Sequence, residues 1–178
     1  MSDIPLPAPD LNPPARPRIP DVRLQIVKWA IEGVHDEEKK QEFDYEEVRP
    51  LVVSWNPPIR TDCSFYCKLV AWKAGAIDPT GENFNGYGNS ESMYATGKHI
   101  TLGELMAGDF MVLGPGGSVH AVIAVTDHES GNPLFASMGR QGDPSLVRLS
   151  ELLSLGEPTY LRYSTRNRHL RPEASTSA

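Results

Sequence analysis

Hydrophobic positions follow two regimes along the chain, helical spacing in the first half and short β-branched or aromatic runs in the second. Leu24, Val27, Ala30 and Ile31 recur at three- and four-residue intervals behind Asp21, which predicts a helix capped by that aspartate and stopped at Gly33. A second helix is expected from Cys63, capped by Thr61 or Asp62. Phe65, Leu69, Val70 and Trp72 would form its apolar face, and Gly75 would supply the left-handed residue after its end. Residues 77–97 are rich in Gly, Asn, Ser and Pro and read as a long loop with a short helix around Ser92. A loop of that length in a compact domain is usually functional or disordered. Strands are then predicted over 110–113, 119–126, 133–137 and 159–163, with turns at 114–117 and 128–132. Helices followed by an antiparallel meander define an α+β domain with helices packed on one face of a sheet.

Composition adds boundaries and exclusions. The 178 residues suit one domain with tails. Pro5, Pro7, Pro9, Pro13, Pro14, Pro17 and Pro20 make residues 1–20 a Pro-rich extended arm, because proline fixes φ and cannot donate to a ladder. The body is then expected over 21–165, with a flexible polar tail over 166–178 and a solvated charged run at 36–40. A net charge of −6 argues against a duplex-binding protein. No apolar run approaches the roughly 18 residues of a membrane span, and the first residues carry neither a basic nor an apolar signal region. The expectation is a chain made in the cytoplasm without a secretory signal. Its two cysteines, Cys63 and Cys67, exclude a disulfide-dense scaffold. At i and i+4 they sit about 5–6 Å apart at Cβ, too far for a relaxed disulfide, so Cys67 reads as core. No cluster has metal-ligand spacing, and neither a metal nor a cofactor is expected.

Two residues could carry chemistry. Cys63 stands where an extended segment should turn into a helix, and the free N–H groups of a helix start lower a thiol pKa toward roughly 3.5–7.5. A buried, inert thiol is the competing account. His120 opens a strand just after a glycine-rich turn, where it could serve as base to a thiol and acid to a leaving amine. A lone histidine at a sheet end can equally be a satisfied surface group. His35, His99, His128 and His169 fall on predicted loops or tails and receive no role.

The surrounding segments decide between these accounts. Thr61-Asp62-Cys63-Ser64 opening a helix is followed by Ala74-Gly75-Ala76, Asp78-Pro79, Gly81 and Asn85-Gly86-Tyr87-Gly88. Gly108-Asp109-Phe110, Gly114-Pro115, His120-Ala121-Val122 and the Ser137, Gly139, Gly142-Asp143-Pro144 stretch complete the order. This set resembles the NlpC-type cell-wall cysteine peptidases and amidases, papain-like and CHAP-related, of the kind found in endolysins of phages infecting actinobacteria. The resemblance covers roughly residues 45–163. It implies a papain-like α+β fold, Cys63 as nucleophile, His120 as general base, no cofactor, and peptidoglycan as substrate, cut at an amide bond through a thioester. The Cys63 N–H would donate to the oxyanion, with Tyr45, Asp62 and Ser64 as further oxyanion or substrate candidates. Access to the wall would then call for a pore made by another protein, such as a phage partner.

Two positions depart from the family pattern. Phe65 stands where glycine usually follows the aspartate-cysteine-serine triplet, and Ser137-Met138-Gly139 stands where serine-histidine-glycine is usual. A thioether is a weak acceptor, so Met138 at the third catalytic position would leave the imidazole poorly oriented. Gln141 is a substitute candidate, whereas strand alternation points Ser137 away from wherever Met138 points. Three readings follow: a peptidoglycan hydrolase, a catalytically weakened or inactive binding or virion-associated module on the same fold, and another acyl-transfer chemistry on the same scaffold.

Overall fold

The computed structural model describes residues 21–35 and 42–163. The Pro-rich arm over 1–20, the charged run over 36–40 and the tail over 166–178 lie outside the described residues. Helix α1 spans Val22–His35. Its start is held by the Asp21 carboxylate, which accepts from the Arg23 N–H at 3.0 Å. Val22, Ile26, Ala30, Gly33 and Val34 form the buried stripe, while Leu24 is 65% exposed and Val27 and Ile31 flank the core. Gly33 does not stop this helix. It lies where the Tyr66 hydroxyl comes in to donate to the Ala30 carbonyl at 2.9 Å, and a Cβ on Gly33 would sit 2.8 Å from that oxygen. Close approach, not chain reversal, accounts for the glycine.

Helix α2 spans Cys63–Lys73. Asp62 is its cap, accepting from the Phe65 N–H at 2.7 Å, and Gly75 follows its end at φ 71°. Every residue from Ser64 to Ala71 is buried, so the helix is not one-faced but enclosed between α1 and a sheet. Trp72, expected on its apolar face, is 36% exposed. Phe65 is fully buried and takes a core position.

The sheet has six strands, β3 (Lys98–Ile100), β4 (Phe110–Leu113), β5 (His120–Ala124), β6 (Leu134–Met138), β7 (Pro144–Arg148) and β8 (Pro158–Arg162). Their order is β3-β8-β4-β5-β6-β7, every pairing antiparallel. A short parallel pair, β1 (Phe43–Tyr45) with β2 (Ile59–Thr61), lies ahead of α2. Helix α3 (Ser90–Thr96) sits inside the long loop where a short helix was expected, and α4 (Leu149–Leu152) follows β7. The class is α+β, as the sequence indicates. Alternation along the strands divides the core in two. Phe110, Val112, Ala121, Ile123, Ala136 and Met138 join the cluster with α1 and α2. Met111, Leu113, Val122, Ala124 and Phe135 pack with Leu149, Leu152 and Tyr160 in the other. Both sheet faces are therefore covered, where the sequence suggested one.

Two ion pairs on buried carboxylates explain motifs in the resemblance as scaffold. The Lys68 ammonium, inside α2, lies 3.2 Å from Asp78 and also donates to the Tyr87 carbonyl. Asp78 in turn accepts from Thr80 N–H and hydroxyl, both at 2.8 Å, and from the Phe84 N–H. That cluster ties the loop after α2 to the core. Asp109, 1% exposed, receives Arg162 through two nitrogens at 2.9 and 2.6 Å and so clamps β4 to β8.

Candidate active site

Cys63 and His120 line one cleft of about 660 Å³ at the end of β5 and β6. Helix α2 presents Cys63 at its first turn, and the thiol meets the N–H groups of Cys63, Ser64 and Ala121. Those contacts draw the pKa down, as expected of a helix start, but they do not prevail. Burial first, and the neighbouring Asp62 charge second, push the thiol up to about 11. The expectation of a low-pKa thiol is corrected on that account: the cap that builds the helix start also sets a negative charge beside the sulfur.

His120 is placed by the turn before it. Gly117, at φ +81°, passes so close to α3 that a Cβ would lie 2.9 Å from the Ser90 carbonyl oxygen. The chain then enters β5 with the imidazole at the cleft. Its Nε2 lies 2.8 Å from Ser137 Oγ. Among the described residues Nδ1 has no hydrogen-bond partner. Burial holds the imidazole below its usual pKa, against a smaller upward pull from Asp62. Both groups are thus neutral around pH 7.

The third position differs from expectation. Val122 pairs with Ser137, so Ser137 projects from the same sheet face as Val122 and His120. Met138 projects from the other face, wholly buried against the helices, although it borders the cleft floor. Gln141 lines the cleft and its amide lies over Gly139. The hydroxyl set aside on alternation grounds is the group on the imidazole. Ser137 and Met138 do alternate between the two sheet faces, and the register of β6 on β5 sets which of them faces the histidine.

The remaining candidates are largely occupied. Asp62 accepts from Phe65 N–H and from Ser64 Oγ at 2.8 Å, and pairs with Arg49 at 2.5 Å. Ser64 is 2% exposed and within that network. The Tyr45 hydroxyl donates to Glu47 at 2.9 Å, and burial with that carboxylate pushes its pKa up to about 12. Arg49, Glu47 and Arg140, not singled out in the sequence, also line the cleft. Arg49 is fixed by Asp62, Ser64 and the Gly88 carbonyl, and Arg140 reaches Glu47 at 3.3 Å. Nothing in their sequence context signals this, because Glu47 and Arg49 lie in the segment between β1 and β2, which has no periodic pattern, and Arg140 lies in the turn between β6 and β7. No group of three or more His, Cys, Asp or Glu among the described residues could hold a metal ion.

No protein-family model matches the sequence, and no curated protein does so either. Solved structures match by shape. The NlpC/p60 domain of the peptidoglycan hydrolase SagA aligns over 79% of this chain and 98% of its own, at 17% identity and TM-score 0.51. RipD of Mycobacterium tuberculosis, described as a non-catalytic NlpC/p60 domain protein adapted to peptidoglycan binding, aligns over 80% and 98%, at 13% identity and TM-score 0.53. A hypothetical invasion protein of the same organism aligns over 84% of this chain and 67% of its own, at 19% identity and TM-score 0.52. The fold is that of NlpC/p60 domains. At these identities the likeness establishes architecture alone.

Proposed function

We propose that this protein is a cysteine amidase or endopeptidase acting on bacterial peptidoglycan, with Cys63 as nucleophile, His120 as general base and acid, and Ser137 orienting the imidazole. The observation that carries the reading is the His120–Ser137 hydrogen bond in the cleft that holds Cys63 at a helix start. With Nε2–H donated to Ser137, Nδ1 is the basic nitrogen. It takes the thiol proton as Sγ attacks the scissile carbonyl, and it returns that proton to the departing amine. The Cys63 N–H offers a hydrogen bond to the tetrahedral oxyanion, and water then resolves the thioester. A neutral resting pair makes this a general-base mechanism, not one that starts from a preformed thiolate. The NlpC/p60 fold and the segment-by-segment resemblance support the substrate class. The resemblance to actinobacterial phage endolysins further supports a lytic role, with wall access through a pore-forming partner.

A second reading, a wall-binding module without turnover, is favoured by the raised thiol pKa and by the non-catalytic character of RipD on this fold. Mass spectrometry of fragments released from purified actinobacterial peptidoglycan separates the two. Wild type should release new termini that Cys63→Ala and His120→Ala do not. Release by none of the three, with retention of the protein on the insoluble wall, selects the binding module.

A further inference from the structure

The cleft has two chemically different halves. Tyr45, Glu47, Arg49, Asp62 and Arg140 make the half beside Cys63 polar and charged. Toward β7 and the turn before His120 the lining carries Val119, Val147, Leu152 and Leu155, with Ser118 and Glu151 beside them. Register explains the division. Val147 pairs with Phe135, which projects from the same face as Ser137, and Leu152 packs in the same cluster, so these two belong to the sheet face away from α2. Leu152, 2% exposed, forms a floor, and Val119 and Leu155, each 49% exposed, stand at the rim. The charged neighbour there is Glu151, whose carboxylate caps the Arg148 N–H at 3.2 Å.

A general acid must reach the atom that it protonates. On the cysteine-amidase reading, His120 hands its proton to the departing nitrogen, so the leaving group occupies the imidazole side of the thiol. The apolar half begins on that side. We infer that Val119, Val147, Leu152 and Leu155 form a leaving-group subsite selecting an amine half with an uncharged, apolar side chain beside the scissile nitrogen. Glu151 adds to the selection by repelling an acidic one. The inference rests on the cysteine-amidase reading for its role, but the apolar preference belongs to the surface itself.

Aminolysis of the acyl-enzyme reads the subsite directly. An added amine attacks the thioester carbonyl, the C–N bond forms as the C–S bond breaks, and the ammonium proton passes through His120 to the departing sulfur. The full chain is incubated with purified peptidoglycan and equal concentrations of leucinamide and aspartic acid α-amide, and the captured products are compared by mass. Leucinamide should be captured about tenfold more often, the discrimination of a modest apolar pocket. Leu155→Asp, at a rim position, should bring the ratio close to one. Equal capture by wild type, or an unchanged ratio in the variant, overturns the inference.

A second measurement needs no turnover. Cys63 is alkylated with N-isobutyl and N-carboxymethyl chloroacetamide, each rate normalised to that with glutathione. The isobutyl reagent should be favoured by wild type and not by Leu155→Asp. If the wall is not cut but this preference holds, the hydrolase reading falls and the apolar subsite stands. If the preference is absent, the subsite falls whether or not the wall is cut.

Discussion

The Nε2 atom of His120 and the hydroxyl of Ser137 lie 2.8 Å apart across two adjacent antiparallel strands, offset by two residues from the Val122–Ser137 pairing. A serine in this place fixes the ring without placing a negative charge beside it. An imidazolium formed under the proposed Cys63–His120 mechanism would gain less from this serine than from a carboxylate in its place, and the hydrogen bond is worth what a neutral pair is worth. Ser137→Ala is expected to lower kcat about three- to tenfold with little change in KM, and Ser137→Thr should restore much of it. Steady-state kinetics on a solubilised wall fragment checks both. An equal loss in the alanine and threonine variants would mean that the site responds to shape and not to the hydroxyl.

Met138 gives the converse. Its side chain is fully buried on the α2-facing side of the sheet. Met138→His, which would restore the serine-histidine-glycine string, should not raise activity, because the new ring enters the core and not the space beside His120. It should lower stability by about 1–3 kcal/mol through a buried, poorly partnered imidazole. Thermal unfolding and wall hydrolysis measured on the same preparation test the pair of outcomes. A gain in rate would overturn the assignment of Ser137.

This site also shows what a sequence can and cannot disclose. The start of α2 was legible because a cap, an apolar run and a terminal glycine each act locally, and β4 was legible as an unbroken apolar run. Strands β1, β2 and β3 have three residues each, too few for a period to show. Strand β7 opens on Pro144 and is only partly buried along its middle, so its alternation is faint. The His120–Ser137 contact depends on the register between β5 and β6, which the length and shape of the intervening turn fix. The fate of Asp62 was half legible: its capping role is local, whereas its pairing with Arg49 and its effect on Cys63 are tertiary.

That double role of Asp62 separates structure from reactivity. Asp62→Asn keeps an oxygen for the Phe65 N–H but removes the charge that helps to hold the Cys63 thiol up, and it leaves the Arg49 guanidinium nearby. Cys63 should then be alkylated several-fold faster at pH 8, while the variant loses about 1–3 kcal/mol from the broken, part-buried pair. Iodoacetamide kinetics followed by peptide mapping would show it. Slower alkylation of Cys63 would mean that the carboxylate orders the thiol more than it repels the thiolate.

The pH dependence follows from the directions of the two shifts. Cys63 is neutral in the folded protein up to about pH 11, above its ordinary value of 9.0, so its reaction with iodoacetamide should climb steadily from pH 7 to pH 10. A plateau near pH 6 would contradict this. In the unfolded chain the thiol ionises first, so folding stability should fall as pH rises from about 9 toward 11, and less so in Cys63→Ala. His120 has the opposite window. Its folded pKa lies below 6.5, the unfolded chain binds the proton first, and stability should fall as pH drops below about 6.5. Thermal melts of wild type and both alanine variants across pH 5–10 would display the two limbs separately.

The Lys68–Asp78 pair makes a prediction about scaffold alone. The Lys68 side chain is fully buried and Asp78 is 4% exposed at the side chain, so neither charge is screened by water. Their partners differ in number. Asp78 keeps three hydrogen bonds, from Thr80 N–H, Thr80 Oγ1 and Phe84 N–H, if the lysine is removed, whereas Lys68 keeps one, to the Tyr87 carbonyl, and its place over the Phe65 ring if the aspartate is removed. Burial already pulls the Lys68 pKa down against the upward pull of Asp78. Asp78→Ala should therefore cost about 3–5 kcal/mol, with an ammonium left uncompensated in the core. Lys68→Met, which fills the same volume and leaves a hydrogen-bonded carboxylate, should cost clearly less. Urea unfolding of the two variants gives the order directly. If Lys68→Met proved the more damaging, the carboxylate would depend on the lysine charge more than on the loop N–H groups, and the loop after α2 would be held by the ion pair itself.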